Sequence, residues 1–278
     1  MENILVPTDF SNNAYNALFH ATRLVKGKAC TFHVLNTYNE YTPLRSKSVG
    51  KTLIAQLKDE SNEGLQRVLH RIKLDEADPK HTFKTISEHG ELIAAVSNVV
   101  NTEKIDLVVI GNSGRSEIEA IFMGSNALDV IGAIEQCPVL TIPKEVDFKP
   151  PKEIAFVTDY QRPYDAGLLQ PLLLMAKQYK SKICLMHINE EEVLDRDQEM
   201  NRSILLKYLL PFEYTMHWMP LFKNKANSIH TFLNELDIKM LAMVNYEHSF
   251  LERITREPVI KRVAFDLDIP FLIIPSFD

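Results

Sequence analysis

The sequence predicts an α/β protein made of two similar halves, each a parallel β-sheet with helices on both faces. Short β-branched apolar runs alternate with segments whose apolar residues recur at helical spacing, an order typical of strands joined by helices. Segments of the first half also recur in the second half. The length of 278 residues suits two domains of about 150 residues each.

Three pairs of matching segments indicate an internal duplication. They occur in the same order in both halves, which chance would rarely produce. The pairs are residues 4–10 with 154–160, 32–36 with 186–189, and 137–143 with 269–275. The intervening Lys149-Pro150-Pro151-Lys152 has two prolines that can continue neither a helix nor a central strand, so it is predicted to be a short, stiff linker. We expect domains at 1–147 and 152–278.

The first half contains five predicted strands and four predicted helices. Strands are assigned to short apolar runs, and helices to apolar residues three or four positions apart. Ser11 is placed to cap the first helix and Gly27 to end it, and the polar residues 37–50 are predicted to form a loop. In chain order the predicted elements are strand 4–6, the helix between Ser11 and Gly27, strand 31–35, helix 51–73, strand 82–87, helix 92–100, strand 107–110, helix 126–135 and strand 139–142.

The second half repeats this order. Its matching elements are strand 154–157, helix 169–178, strand 183–188, helix 229–236, strand 240–244 and strand 271–274. Trp218, the only tryptophan, lies with Met216 and Met219 on another predicted strand and is expected in the core or between the halves.

Composition and charge exclude several classes of protein. With 45% apolar and 24% charged residues the chain is expected to fold, and its net charge of −6, without a dense Lys/Arg run, argues against a nucleic-acid partner. No apolar stretch approaches the roughly 18 residues of a membrane span, and the N-terminus has no signal-peptide pattern. The three cysteines are too sparse for a disulfide framework, and Cys30 and Cys184, on predicted buried strands, are expected to be core thiols. A cytoplasmic location is expected.

Ligands of open parallel sheets bind at the carboxyl ends of the strands where the strand order reverses. The loops after the first and fourth strands often meet there. In the first half these loops are residues 7–11 and 111–115, so we expect a ligand cleft between them.

The second of these loops has a suggestive glycine spacing, Gly111-x2-Gly114-x9-Gly124-Ser125. Glycines allow backbone N–H groups to approach an anion closely, and the N-terminus of the helix predicted from Asn126 favours phosphate. Arg115 can add a charged contact. The spacing alone is also compatible with ordinary turns, and by itself it favours them slightly over phosphate binding.

Asp9 and Thr8 end the first strand beside the same cleft. A carboxylate at this position can accept hydrogen bonds from ribose hydroxyls. An Asx turn or a helix cap is an equally good interpretation of Asp9. The same choice between a ligand contact and a local turn applies to Thr8.

Other functional motifs are missing from the sequence. There is no P-loop, no G-x-G-x-x-G and no complete nucleophile elbow, because Arg115 stands where the last glycine would be. The nine histidines form no metal-binding pattern, and His33 and His187 are expected to be core or strand-pairing residues.

The duplicated segments and the glycine spacing described above together make the chain resemble the universal stress protein (UspA-like) superfamily in its tandem two-domain form. The resemblance covers nearly the whole chain and is carried by residues 4–11, residues 32–34 and the complete glycine signature. It implies two tandem Rossmann-like (adenine nucleotide alpha hydrolase-like) domains, each a five-stranded parallel sheet of order 3-2-1-4-5. It also implies that Val139–Ile142 and Phe271–Ile274 can pair within the chain as a pseudo-dimer, with a homodimer as a further option.

The resemblance implies a nucleotide site in the first domain. The nucleotide would be ATP, or AMP or ADP, and Mg could accompany it. Thr8 and Asp9 would contact adenine or ribose, and Val34 would line the adenine pocket. The phosphates would be held by Gly111, Gly114, Gly124, Ser125 and Asn126, with Arg115 beside them.

The second half departs from the signature. Aligning residues 107–110 with 241–244 places Asn245-Tyr246-Glu247-His248 where the first glycine pair would be, and the chain has no glycine after Gly167. We therefore expect one nucleotide site per chain.

Two functions remain open from the sequence. The first is a regulatory stress-response switch that binds ATP in its N-terminal domain, acts on an unknown protein partner and hydrolyses ATP slowly at most. The alternative is a nucleotide-independent interaction module, or one that binds a small apolar ligand, acting as a pseudo-dimer scaffold.

Overall fold

The computed structural model describes residues 1–44, 52–112, 125–144, 146–190, 193–246, 260 and 267–276. The chain divides into two compact units, Met1–Phe148 and Lys149–Asp278. Each unit is an α/β fold built on five parallel strands.

The first unit has five parallel strands in the order β3-β2-β1-β4-β5. Its elements are β1 (Asn3–Pro7), α1 (Asn12–Leu24), β2 (Cys30–Tyr38), α2 (Leu53–Asp75), β3 (His81–His89), α3 (Leu92–Thr102), β4 (Leu107–Gly111), α4 (Ser125–Ala133) and β5 (Val139–Ile142).

The second unit repeats the order as β8-β7-β6-β9-β10, again with parallel neighbours. Its described elements are β6 (Glu153–Val157), α5 (Ala166–Tyr179), β7 (Lys182–Asn189), α6 (Arg196–Leu209), β8 (Tyr214–Pro220), α7 (Lys225–Glu235), β9 (Met240–Asn245) and β10 (Phe271–Pro275). The predicted pair of Rossmann-like sheets with strand order 3-2-1-4-5 is confirmed. Whether the last strands pair as a pseudo-dimer stays a prediction.

Strands β2 and β3 of the first unit are longer than predicted. β2 and β3 pair in register from Cys30 opposite His81 to Tyr38 opposite His89, so β2 includes two residues of the predicted loop, Thr37 and Tyr38. The extension was not visible in the sequence because β3 is only half-buried and mixes polar with apolar residues.

The first helix begins as predicted. Ser11 is its N-cap, and the Ser11 hydroxyl accepts a hydrogen bond from the Ala14 N–H at 3.1 Å. The helix ends at Leu24, and Gly27 adopts a φ of 79° in the turn beyond it. Gly27 therefore shapes the turn rather than ending the helix itself.

The structural register corrects one of the sequence matches. Ile4 lies opposite Phe32 and Ile154 lies opposite Ile183, so β2 and β7 correspond three residues away from the match read in the sequence. Cys184, not His187, takes the place of His33. The two histidines are buried as predicted, but they are not equivalent.

The three cysteines are all buried and free, which was predicted for Cys30 and Cys184. Burial raises the pKa of both Cys30 and Cys137 to about 12, and it raises the pKa of Cys184 as well. These thiols pack as apolar groups.

Trp218 is an exception to the predicted core. Its side chain is 43% exposed on β8, so the core interpretation is wrong. Leu221 and Phe222, just beyond the strand, are each 46% exposed.

Among the described residues, no helix combines the length and the apolarity that a membrane crossing would need.

Two buried histidines of the first unit predict acid sensitivity. His20 donates from Nε2 to the Val146 carbonyl at 2.8 Å, and His33 lies 3.3 Å from the Asn3 side-chain oxygen. Burial lowers the pKa of both rings below the unfolded value of about 6.5. The unfolded chain therefore binds more protons than the folded chain as the pH falls below about 6.5, and folding stability is lost over that range.

We expect the free energy of unfolding of the first unit, measured by urea titration between pH 7.5 and 5, to fall with decreasing pH. His20→Gln can still donate to Val146, so it should reduce this slope without removing the contact. An unchanged slope in His20→Gln would show that His20 contributes nothing to the pH dependence.

Candidate functional site

The strand order of the first unit reverses at β1, which lies between β2 and β4. Thr8 and Asp9 follow β1, while Gly111 ends β4 and Asn112 follows it. Because parallel strands end at the same edge of a sheet, these residues meet at the carboxyl edge, as the sequence predicted.

The loop after β1 is held by its own hydrogen bonds. The Thr8 N–H donates to the Leu35 carbonyl at 2.8 Å, and the Thr8 hydroxyl accepts from the Phe10 N–H at 3.1 Å. Asp9 Oδ1 accepts from the Ser11 N–H at 2.9 Å, which is the Asx turn considered from the sequence. A carboxylate has about four lone-pair sites, so this turn does not exhaust the accepting capacity of Asp9.

Phe10 allows this loop to turn sharply into α1. Its φ is 66°, in the left-handed region that few non-glycine residues adopt. Its ring packs so closely on α2 that a Cβ added to Gly64 would lie 2.5 Å from the ring carbon Cζ. Gly64 thus leaves room for the ring, and the ring anchors the loop that carries Asp9.

Two asparagines at this edge were not predicted from the sequence. Asn36, on β2, is buried and donates from Nδ2 to the Thr8 carbonyl at 2.7 Å. Asn13, on the first turn of α1, is 5% exposed. The available signal was a polar side chain within an otherwise apolar pattern, since a buried amide usually has a specific partner.

Asn13 gives a structural reason for Gly111. A Cβ at Gly111 would lie 2.4 Å from Asn13 Nδ2, 2.8 Å from its Cγ and 3.1 Å from its backbone oxygen. A side chain at position 111 would therefore force the Asn13 amide to shift and would press on the backbone at the start of α1. This packing role exists whether or not Gly111 also approaches a phosphate.

The predicted phosphate-binding residues are only partly described. α4 begins at Ser125, one residue earlier than predicted, and Asn126 is exposed in its first turn. The N–H groups of a first helical turn lack partners within the helix and carry partial positive charge, which suits an anion. Gly114, Arg115 and Gly124, and the side chain of Ser125, lie outside the described residues.

Val34 lies deep in the sheet. It pairs with Val6, and its side chain has no exposed surface. Its contact with adenine stays a prediction.

The second unit keeps the turn after its first strand. The Tyr160 N–H donates to the Thr158 hydroxyl at 3.1 Å, the Gln161 N–H donates to Asp159 Oδ1 at 3.0 Å, and Tyr160 has a φ of 58°. His187 takes the position of Asn36, with its Nδ1 3.1 Å from the Thr158 carbonyl.

The other side of the second cleft differs. Ile4 lies opposite Leu107 and Ile154 opposite Met240, so Val244 occupies the position of Gly111. The sequence alignment, which placed Asn245 there, was shifted by one residue because the apolar runs are alike and no glycine marks the register.

The loop into α5 also differs, and it carries a buried tyrosine. Tyr164 is 5% exposed, and its hydroxyl forms a hydrogen bond with the Thr158 hydroxyl. Its ring lies edge-on to Phe156, 6.3 Å between centroids. Burial raises the pKa of Tyr164 well above its usual value.

Acidic, histidine and cysteine side chains do not gather into a metal-binding group anywhere in the described ranges.

Comparison with known proteins agrees with this architecture. The model of the universal stress protein family matches residues 1–143. A universal stress protein of Methanocaldococcus jannaschii is 28% identical over 146 residues, which span 51% of this chain and 81% of that protein. One from Bacillus subtilis is 26% identical over 145 residues, which span 50% of this chain and 97% of that protein.

A solved structure extends the likeness to the whole chain. The crystal structure of a universal stress protein from Archaeoglobus fulgidus aligns with a TM-score of 0.74 and covers 98% of each chain, at 14% identity. At this identity the likeness shows the fold. With the family model matching just over half of the chain and both sheets having the same strand order, the chain belongs to the universal stress protein family.

Proposed function

We propose that the first unit binds an adenine nucleotide at the carboxyl edge of β1 and β4, and that the bound nucleotide regulates the protein in a stress response. The observation that carries the proposal is the meeting of Thr8, Asp9 and Gly111 where the strand order reverses. Such an edge is where open α/β sheets bind nucleotides.

The residues at this edge fit the chemistry of a nucleotide. Asp9 supplies a carboxylate that can accept hydrogen bonds from ribose hydroxyls, on a loop fixed by Phe10 and Asn36. The start of α4 supplies backbone N–H groups for phosphate. The glycine signature continues in the sequence from Gly111 through Gly114 and Gly124, and the family model covers this unit.

ATP is the nucleotide we propose, with AMP and ADP as alternatives and Mg as a companion of the phosphates. One nucleotide per chain is proposed, because Val244 replaces Gly111 in the second unit.

The proposal predicts unequal effects of two matched substitutions. Asp9 and Asp159 form the same Asx turn, so Asp9→Ala and Asp159→Ala should remove the same local hydrogen bond. Only Asp9→Ala should weaken ATP binding, by about tenfold or more, since a hydrogen bond to a charged group contributes about 1.5–3 kcal/mol.

The measurement is calorimetric titration of nucleotide-stripped protein with ATP and Mg, repeated with ADP and AMP. We expect one site per chain in wild type and in Asp159→Ala. Absence of binding by folded wild-type protein, or equal loss in both variants, would contradict a site at Asp9.

An interaction surface in the second unit is the alternative function. Trp218, Leu221 and Phe222 expose large apolar area within five residues of chain. Such clusters are common at binding surfaces. If the titration shows no nucleotide, this surface becomes the better candidate.

A further inference from the structure

The second unit has a longer connection between its first strand and the helix that follows. Ser11 and Asp165 are equivalent N-caps, because the side chain of each accepts from the backbone N–H three residues ahead. In the first unit Ser11 follows Phe10 directly. In the second unit Gln161, Arg162, Pro163 and Tyr164 lie between Tyr160 and Asp165.

The last residue of this insertion returns to the sheet. Thr158 is the first residue after β6, and its hydroxyl meets the hydroxyl of Tyr164. The ring of Tyr164 packs edge-on against Phe156 of β6. The side chain therefore lies at the carboxyl end of β6, the strand that pairs with β9.

This position corresponds to the candidate nucleotide site of the first unit. β6 and β9 are the counterparts of β1 and β4, and the strand order of the second unit reverses between them. In the first unit the short loop from Thr8 to Ser11 has no residue that could reach back in this way.

We propose that Tyr164 is a built-in occupant of the second unit's cleft, so that its phenol ring and hydroxyl stand where an exchangeable ligand would otherwise bind. The cleft recognises a planar aromatic ring with one hydroxyl group, and that ring belongs to the chain itself. The Thr158 hydroxyl, whose counterpart Thr8 is predicted to contact a nucleotide, is engaged by Tyr164.

The proposal rests on the proposed position of the nucleotide site in the first unit, because the second cleft is located by its correspondence with that site. Its test uses no nucleotide, so the two proposals can fail separately. On this proposal the second cleft differs from the first in two ways: Tyr164 fills it, and its sequence lacks the glycine signature.

Chemical rescue tests the proposal. Tyr164→Ala should lower the melting temperature and leave a cavity shaped for the lost side chain. The probe is p-cresol, which is the tyrosine side chain as a free molecule. At millimolar concentration it should raise the melting temperature of Tyr164→Ala by about 2–4 °C or more. Toluene, which lacks the hydroxyl, should raise it less.

Two controls are matched to this variant. Wild type and Tyr164→Phe both keep the ring in place, so p-cresol should leave their melting temperatures unchanged. An equal rise in wild type, or no rise in a folded Tyr164→Ala protein, would overturn the proposal.

A second measurement needs no variant, and so holds even if Tyr164→Ala does not fold. Tetranitromethane modifies accessible, ionisable tyrosines, and Tyr41 is 89% exposed while Tyr164 is 5% exposed. Mass spectrometry of native protein should find nitration at Tyr41 and none at Tyr164. Nitration of Tyr164 at a rate comparable to Tyr41 would show that the cleft is open, and would overturn the proposal.

Discussion

Gly111→Val is expected to destabilise the first unit by about 3 kcal/mol, the upper end of the usual cost of overpacking. The added Cβ would overlap Asn13 Nδ2 at 2.4 Å and would lie in tight contact with the Asn13 backbone oxygen at 3.1 Å. The amide can turn away, but the backbone at the start of α1 can move only with the helix. Peptide-level hydrogen exchange measures the loss of stability within the first unit.

A matched variant and a compensating substitution test whether contact with Asn13 causes the destabilisation by Gly111→Val. At Gly132, in α4, an added Cβ meets nothing within 4 Å, so Gly132→Ala should be neutral or stabilise the protein by up to about 1 kcal/mol. Asn13→Gly combined with Gly111→Val should recover part of the loss, because it removes the amide from the contact. Additive effects of the two substitutions would show that the predicted overlap does not exist.

The double variant also separates two roles of Gly111. The second unit carries this combination, since Val244 corresponds to Gly111 and Gly167 corresponds to Asn13 two residues past the N-cap. If the double variant folds but no longer binds ATP, Gly111 serves the ligand as well as the packing of α1.

Phe156→Ala is expected to destabilise the second unit by about 3–5 kcal/mol, the range for removing a fully buried phenylalanine ring. Phe156 has no exposed surface and supports both β6 and the ring of Tyr164. Trp218 is the only tryptophan and lies in this unit, so its fluorescence during urea unfolding measures the loss.

Phe222→Ala is the control for this substitution. The ring of Phe222 is 46% exposed, so its removal should cost less than about 1 kcal/mol. Similar urea-unfolding midpoints for the two variants would mean that Phe156 is not a core residue of the second unit.

The sequence was sufficient to predict most elements, because buried parallel strands are short β-branched runs between turn residues. Val139–Ile142 has the same bounds in the prediction and in the structure. The strand order came from the family resemblance, since the alternation of strands and helices does not distinguish one order from another. The ends of β2 and β3 were missed because their outer residues follow no apolar pattern.

The candidate site was predictable where a residue type is tied to a local turn, as at Asp9 and Ser11. It was not predictable where a residue is required because of a contact with a distant part of the chain. Nothing near Gly111 in the sequence indicates that Asn13 packs against it. The errors at His187 and Val244 arose because apolar strands resemble one another after small shifts, and only their pairing partners determine the register.

The burial of all three native thiols has a practical consequence for spectroscopy of this protein. Only a thiolate reacts readily with maleimide reagents, and burial holds Cys30, Cys137 and Cys184 in the protonated, inaccessible form. A single cysteine introduced at the exposed Asn126 would then be labelled selectively without removing any native cysteine. A fluorophore attached there would report directly on events at the N-terminus of α4, in an otherwise unaltered chain.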